Sequence, residues 1–285
     1  GLPGWGEIVA GLPDAERHRP RHRHVHLPRR AAGNHGNRFH NFLYAELGLN
    51  YLYKSFTSSD IGATVGGIRS MGIRGAGVSM PYKESCMPFL DAIDPSAAAI
   101  DSVNTIVNDA GVLTGYNTDY LAIRTMLVEH GVASDQDVVV AGSGGMAKAV
   151  VAALRDTGFR RVTVLARTPE RGRALAERYG FDAVTELGDR RPAVLVNATP
   201  VGMAGGPESE DLPFPEEVVR AASTVLDVVY LPASTPLVRL ATQLGHTVLR
   251  GDEVMRLQAL EQFVLYTGVR PSDEQIDRAE EYATA

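Results

Sequence analysis

The stretch DVVVAGSGGMAKA, residues 137–149, constrains what this chain can fold into more than any other. An apolar run with the look of a buried strand passes directly into Gly142, Ser143, Gly144, Gly145, Met146 and Ala147, and from there into a helix. Gly142, Gly144 and Ala147 occupy the three small positions of a G-x-G-x-x-G/A turn. The first permits a tight turn, the second lets a pyrophosphate approach the backbone, and the third allows helix and strand to pack closely. The start of a helix also offers unpaired N–H groups to an anion. A glycine turn of purely structural purpose would share the motif. The context favours a dinucleotide, because strand, turn, helix and next strand all follow in order.

That next strand is RVTVLAR, and the alternation continues through AVLVNATP and STVLDVVY, with helical stretches such as PERGRALAERYG between them. TPLVRLATQLG and HTVLRG complete the series, so a parallel sheet is expected here. The end of the second strand bears on the cofactor. Many NAD sites place Asp or Glu there to hold the ribose 2′-hydroxyl. This chain instead has Ala166-Arg167-Thr168, followed by Arg171. A guanidinium pairs with a 2′-phosphate in forked geometry and a threonine hydroxyl adds a hydrogen bond, so NADP is favoured over NAD. A solvated basic helix start is the competing account of the same residues.

The first part of the chain has its own βαβ rhythm. RFHNFLYAELG reads as a helix with Phe39, Phe42, Leu43 and Leu47 on one face and Gly48 at its end. NYLYKSF reads as a strand, SDIGATVGGIRSMG as a capped helix, RGAGVSM as a strand and YKESCMPFLD as a helix. This rhythm predicts a mainly parallel sheet. VNTIVNDAGVLTGYNTD reads as two short strands around an Asp-Ala-Gly turn, and a helix runs from Asp119 to about His130. The last long helix, DEVMRLQALEQFVLYTG, lies beyond the final strand of the second series and is expected to return to the first domain. That makes the first domain discontinuous.

Composition narrows the class of ligand. At 285 residues and 44 % hydrophobic content the chain has room for two cores, and a net charge of −6 with 22 % charged residues gives no basic excess for nucleic acid or an anionic membrane. A small-molecule ligand is therefore expected. The lone cysteine, Cys86, has no partner for an intrachain disulfide and reads as a packing residue. No apolar run reaches the length of a membrane span and no secretory apolar segment is evident, so the default location is the cytoplasm.

Residues 1–31 are anomalous. Asp14 to Arg30 is crowded with Arg, His and Pro, and reads as a disordered, tag-like or out-of-frame segment. His18, His22, His24 and His26 raise the alternative of a metal tract, but a metal site needs a fixed scaffold, and none is assigned. Trp5 lies in this segment and receives no role.

The blocks VSMPYKE, SVNTIV, GYNTD, GSGGMAKA, NATPVGM, DVVYLPASTPL and GDEVMRLQALEQF stand in the order found in shikimate dehydrogenases. The chain resembles that family from about Asn34 to its C-terminus. GNRFHNFLYAELGLNYLYKSF is similar to the shikimate dehydrogenase-like, quinate/shikimate-related branch. The resemblance implies a two-domain α/β fold. A Rossmann-type NADP-binding domain, residues 119–251, is inserted into an α/β substrate domain formed by residues 1–118 and 252–285. It implies reversible hydride transfer between NADPH and the ketone of 3-dehydroshikimate, by a monomer or homodimer.

The resemblance places the family's catalytic lysine on Lys83 and its aspartate on Asp119. Hydride arriving at a carbonyl carbon leaves charge on oxygen that a proton donor must neutralise, and a carboxylate can orient lysine and hydroxyl. Ser79, Asn104, Asn117 and Gln258 match substrate-binding positions, and Tyr230 matches a tyrosine near the domain cleft. Amides suit a polyol because each both donates and accepts. For Asn117 a helix cap is a serious competitor, and for Tyr230 a core position is. Thr199, Met203 and Gly251 match residues lining the nicotinamide pocket, which joins them to Gly142–Ala147, Arg167, Thr168 and Arg171 on the cofactor side.

Two departures bear on the substrate. Family members carry a Ser-x-Ser pair that binds the substrate carboxylate, where this chain has Asn34 and Gly36, and Ser79 replaces a threonine. Each hydroxyl lost costs on the order of 1 kcal/mol. Asn34, Asn37 and Arg38 are the candidates to compensate. The family's first strand falls in the Arg/His/Pro-rich region, where only HVHL offers one, and a parallel central strand there ought to be apolar. Quinate is thus an alternative to shikimate, and a non-catalytic NADP-binding regulator is an alternative to an enzyme. A methylene-tetrahydrofolate type dehydrogenase shares the architecture but not the Asn-Thr-Asp and Gln258 blocks.

Overall fold

The computed structural model describes residues 6–9, as backbone, and residues 35–285. The chain divides into two compact units, one of residues 1–118 with 259–285 and the other of residues 119–258. The return crossing thus falls between Gln258 and Ala259, inside the last long helix, rather than at the 251/252 boundary expected from the sequence.

The first unit begins with β1 (Gly6–Val9), α1 (His35–Glu46), β2 (Ser55–Ser58), α2 (Ile61–Ser70) and β3 (Gly75–Gly77). The short α3 (Tyr82–Ser85), a single 3₁₀ turn at Met87–Phe89, β4 (Ala92–Ile93), α4 (Pro95–Ala98), β5 (Thr105–Asp109) and β6 (Val112–Tyr116) follow. The helix expected over YKESCMPFLD is broken into α3 and the 3₁₀ turn, because Pro88 has no N–H with which to continue an α-helix. β2 also starts late, at Ser55, since Asn41 captures the backbone of Tyr53 through both its amide nitrogen and its carbonyl oxygen.

The sheets of this unit depart from the mainly parallel arrangement expected. In the four-stranded sheet, ordered β3-β5-β6-β4, β5 pairs antiparallel with both β3 and β6, and only β4 pairs parallel with β6. The cause is local. Asp109 and Val112 are paired across a two-residue connection, Ala110 and Gly111, both at positive φ (52° and 95°), and so tight a turn obliges its strands to run antiparallel. β1 pairs antiparallel with β2, and the HVHL stretch lies outside the described residues.

Ile68, Val65, Ala76, Val103, Ile106 and Leu113 form the core against this sheet, and Cys86 is buried among them, as its reading as a packing residue anticipated. Burial pushes the Cys86 thiol up to about 11. Each aliphatic side chain so buried contributes roughly 1.5–3 kcal/mol. A second aromatic cluster holds His40, stacked on Tyr53 with centroids 4.2 Å apart. Full burial lowers the His40 pKa to about 3, so its ring is neutral.

The second unit takes up at α5 (Thr118–Glu129), whose first residue closes the other unit. It continues through β7 (Val138–Ala141), α6 (Gly145–Asp156), β8 (Val162–Leu165), α7 (Pro169–Tyr179), β9 (Asp182–Val184) and β10 (Val194–Asn197). It closes with α8 (Glu216–Ala221), β11 (Thr224–Asp227), α9 (Pro236–Gln243), β12 (Thr247–Leu249) and the first half of α10 (Gly251–Thr267). The second half of α10 and α11 (Asp273–Thr284) belong to the first unit.

The six strands are all parallel, in the order β12-β11-β10-β7-β8-β9. This is the doubly wound arrangement expected, with the edge strand β9 added. The order reverses between β7 and β10. In such sheets the crevice beyond the carboxyl ends of those two strands is where ligands bind. β7, β10 and β11 are buried along their whole length, which accounts for the apolar run Val138–Ala141 and for the apolar residues Val194–Val196 and Val225–Leu226.

No helix of the described residues is long and apolar enough to cross a membrane, and among them no group of His, Cys, Asp and Glu could hold a metal ion.

Candidate active site

In the second unit the carboxyl ends of β7, β8 and β10 open on one cleft of about 490 Å³, lined among others by Gly142, Ser143, Gly144, Arg167, Thr168, Arg171 and Thr199. Gly142 follows β7 with φ 117°, and a Cβ there would stand 2.7 Å from the carbonyl oxygen of Ala198 at the end of β10. No other residue tolerates both the angle and the approach. Gly144 caps α6 without a side-chain bond, and neither Gly144 nor Gly145 has any heavy atom within 4 Å of where a Cβ would lie. No side chain of the turn itself fills the space at the start of α6. The twelve-residue helix behind them is buried over Ala149–Leu154. These features fit a pyrophosphate laid across the turn.

The end of β8 supplies the cations. Arg167 and Arg171 are exposed at the rim, and Thr168 is the N-cap of α7 with no side-chain cap bond, so its hydroxyl is not spent on the helix. Gly172 lies in the first turn of α7 because a Cβ there would come within 2.8 Å of the Ala166 Cβ. That close packing holds the start of α7 against the strand end. No acid stands at the end of β8; Glu208 reaches Arg167 from the segment after β10, Oε1 to Nη1 at 3.3 Å.

The NATPVGM block is braced from below. The Thr199 hydroxyl donates to Asn197 Oδ1 at 2.6 Å, and Asn197 Nδ2 donates to Asp227 Oδ1 at 2.9 Å. Asp227 also accepts from the Thr235 hydroxyl (2.7 Å) and the Val229 N–H (3.1 Å). Burial nonetheless raises the Asp227 carboxyl to about 6. Sequence reading missed both Asn197 and Asp227, although a polar residue ending each of two fully apolar strands was a visible signal.

Met203, Met146 and Gly251 do not line this cleft. Met203 is largely exposed in the turn after β10. Gly251 is small for another reason, since a Cβ would fall 2.2 Å from the Val229 carbonyl oxygen. Tyr230, beside that contact, is 39 % exposed, which sets aside the core alternative for it.

In the first unit the polar candidates gather around the entry to β5. Val103 N–H donates to the Lys83 carbonyl at 2.8 Å and Val78 N–H to the Asn104 carbonyl at 2.7 Å, so the turns carrying Lys83 and Ser79 are pinned to the strand start that carries Asn104. Lys83 and Ser79 are half-buried. Asn104 is buried, and its Oδ1 accepts from Thr118 N–H (2.8 Å), the Thr118 hydroxyl (3.1 Å) and the Thr105 hydroxyl (2.8 Å). Its Nδ2 takes no partner among the described residues. Asn117 is spent differently: its Nδ2 donates to the Ser102 carbonyl at 2.8 Å, which favours the local structural role over a substrate contact.

Gln262, one helical turn beyond Gln258 in α10, was not singled out from the sequence. It is buried, and its Nε2 donates to the Thr105 hydroxyl at 2.9 Å. Gln258 is half-buried and falls in the second unit, as does Asp119, also half-buried.

The substitutes proposed for the missing serines fare unequally. Asn34 lies outside the described residues. Arg38 is turned to α11, with its guanidinium 4.7 Å from the Tyr282 ring centroid. Asn37 Nδ2 donates to the Ser55 hydroxyl at 2.8 Å, while its buried Oδ1 takes no partner among the described residues. A Cβ at Gly36 would lie 3.4 Å from the Tyr53 hydroxyl, so a phenol stands beside the position of the second lost serine.

Comparison with known proteins agrees with this geometry. Residues 36–106 match the family model of the shikimate dehydrogenase substrate binding domain, and residues 126–194 that of shikimate / quinate 5-dehydrogenase. A shikimate dehydrogenase-like protein of Haemophilus influenzae is 50 % identical over 250 residues, which is 88 % of this chain and 92 % of the relative. The solved structure of a shikimate 5-dehydrogenase-like protein superposes with a TM-score of 0.88 at 49 % identity, covering 90 % of this chain and 95 % of the other. Shikimate 5-dehydrogenase from Thermus thermophilus, solved with NADP(H) and shikimate, gives 0.75 at 31 % identity, covering 87 % and 94 %. With most of both chains aligned and both units matched, the chain belongs to the shikimate dehydrogenase family, in its shikimate dehydrogenase-like branch.

Proposed function

We propose that this chain is a cytoplasmic NADP-dependent dehydrogenase that reversibly oxidises shikimate, or a closely related cyclic hydroxy acid, to the corresponding ketone. The observation that carries this reading is the cleft of the second unit, where a turn open to a pyrophosphate lies beside Arg167, Thr168 and Arg171 rather than beside a strand-end acid. The Thermus thermophilus relative solved with NADP(H) and shikimate supports the same choice of ligands.

The dinucleotide supplies or accepts the hydride. The N–H groups at the start of α6 would hold its pyrophosphate, and Arg167, Arg171 and the Thr168 hydroxyl would hold a 2′-phosphate. Lys83 moves the proton at the substrate oxygen, and the Asp119 carboxylate orients that exchange. Asn104 offers its Nδ2 donors to a ring hydroxyl. Gln258, Ser79 and Tyr230 are the proposed substrate contacts, with Thr199 on the nicotinamide side. Asn117 acts by holding the Ser102 loop.

Quinate is the second reading. With no hydroxyl at that position and Tyr53 beside it, the carboxylate-binding end differs from the Ser-x-Ser pattern. Steady-state assays with shikimate and quinate, each with NADP and NAD, decide between them. Substrate-dependent NADP reduction is expected, falling by about 10²–10⁴ in kcat for Lys83→Ala with unchanged circular dichroism. Unchanged turnover in Lys83→Ala would remove its assigned role. Tight NADPH binding without turnover of any cyclic acid would instead make the chain a non-catalytic NADP-binding protein.

A further inference from the structure

Arg167 is the guanidinium placed to meet a 2′-phosphate, and it already has an anionic neighbour. Its Nη1 lies 3.3 and 3.5 Å from the two carboxylate oxygens of Glu208, and both residues line the same cleft. Glu208 comes from a distant stretch of chain, 41 residues on. Its backbone is fixed: its carbonyl accepts from Gly202 N–H (2.9 Å) and Asp211 N–H (3.2 Å). A neighbouring acid in the same segment, Glu210, approaches Arg239 at 3.5 Å. The carboxylate is therefore presented by an anchored turn.

Two chemical consequences follow from one carboxylate at that spot. A 2′-phosphate brought to Arg167 meets a like charge and competes with Glu208 for the same guanidinium donors. A ribose 2′-hydroxyl, which needs an acceptor, finds one. In NAD-selective turns that acceptor sits at the end of the second strand, where this chain has Ala166-Arg167-Thr168. Here Glu208 supplies it from the segment after β10.

We propose that Glu208 is a specificity-determining residue that lowers the preference of this cleft for NADP and opens it to NAD. This rests on the dinucleotide reading given above. Arg167 is 78 % exposed and Glu208 36 %, so solvent screens the pair and the effect is a matter of several-fold changes.

The test is direct binding of NADP and NAD to the full chain by calorimetry, for the parent, Glu208→Gln and Glu208→Ala, at low and at physiological salt. Both variants keep the backbone acceptor at residue 208, and two substitutions guard against a local folding defect in one. The expected result is a Kd for NADP that falls by about two- to tenfold in both variants, and a Kd for NAD that rises by a similar factor in Glu208→Ala, where no side-chain acceptor remains, the charge effect shrinking with added salt. Dinucleotide affinities that do not move, or that move together in the same direction, would overturn the role of Glu208 while leaving the cofactor reading intact. If the parent chain binds neither dinucleotide, the cofactor reading itself fails and this inference with it.

Discussion

The two units hold their candidate ligand groups in opposite ways. In the first unit the amides are built into the fold: Asn104 Oδ1 accepts three hydrogen bonds while buried, and Asn117 spends its Nδ2 on the Ser102 carbonyl. In the second, the groups facing the cleft are left over from the fold: Gly144 caps a helix with no side chain, Thr168 caps another without using its hydroxyl, and Arg167 is exposed. A cyclic polyol is small and must be read by groups held rigidly in place. A dinucleotide is long, and backbone N–H groups with a few rim cations suffice. Stability and recognition are therefore coupled in the first unit and separable in the second.

That contrast breaks most easily at Asn104. Asn104→Ala is expected to destabilise the chain by about 2–4 kcal/mol, because the buried Thr118 N–H and two hydroxyls lose their common acceptor, and to lose activity with it. Urea denaturation followed by circular dichroism measures the first and the NADP assay the second. A variant of full stability would show that the amide is not built into the fold.

The next effect is a pH dependence from Asp227, which is buried beneath the NATPVGM block. Its folded carboxyl is raised to about 6 from an ordinary 3.8, so the native state binds the proton more tightly than the unfolded chain. The stability contributed by this group is complete below the unfolded value and is lost as pH rises from about 4 to about 6, by up to about 3 kcal/mol at roughly 1.4 kcal/mol per pH unit. Asp227→Asn keeps the shape and removes the titration. The difference between parent and variant denaturation midpoints, followed from pH 4 to 7, is expected to carry that slope, and a flat difference would remove Asp227 as its source.

The smallest effect separates the units most sharply. Thr168→Ala removes a hydroxyl that caps nothing, so stability is expected to change by less than about 0.5 kcal/mol while the KM for NADP rises several-fold. A loss of stability as large as that at Asn104 would erase the distinction between the two units.

What the sequence disclosed follows the same division. The strand–glycine–helix turn was legible because its parts are contiguous: strand, Gly142, Gly144 and helix succeed one another within a dozen residues, and Ala166-Arg167-Thr168 follows the next strand. Glu208 was not legible, since its relation to Arg167 exists only after 41 intervening residues have folded. Gln262 hid in the same way. It looks like any polar residue in an apolar helix until Thr105 is brought beneath it. The helix α11 was missed despite a local signal, the Ser272/Gln275 capping box with Ile276, Ala279 and Ala283 along one buried face. The sheet of the first unit misled because strand–helix alternation suggests parallel pairing, whereas the Ala110–Gly111 turn sets it antiparallel.

That turn has a use of its own. The β5–β6 hairpin is a local structure, of the kind that forms within microseconds, and its two feet are Asn104 and Asn117, while its tip, from Asp109 to Val112, is largely exposed. The register from Asp109–Val112 to Thr105–Tyr116 lies between tip and feet. A fluorophore, an affinity tag or a few inserted residues at Ala110 would therefore report on the folding of the very element that carries both amides, at a distance from the chemistry. The hairpin is a ready attachment point for watching the first unit assemble.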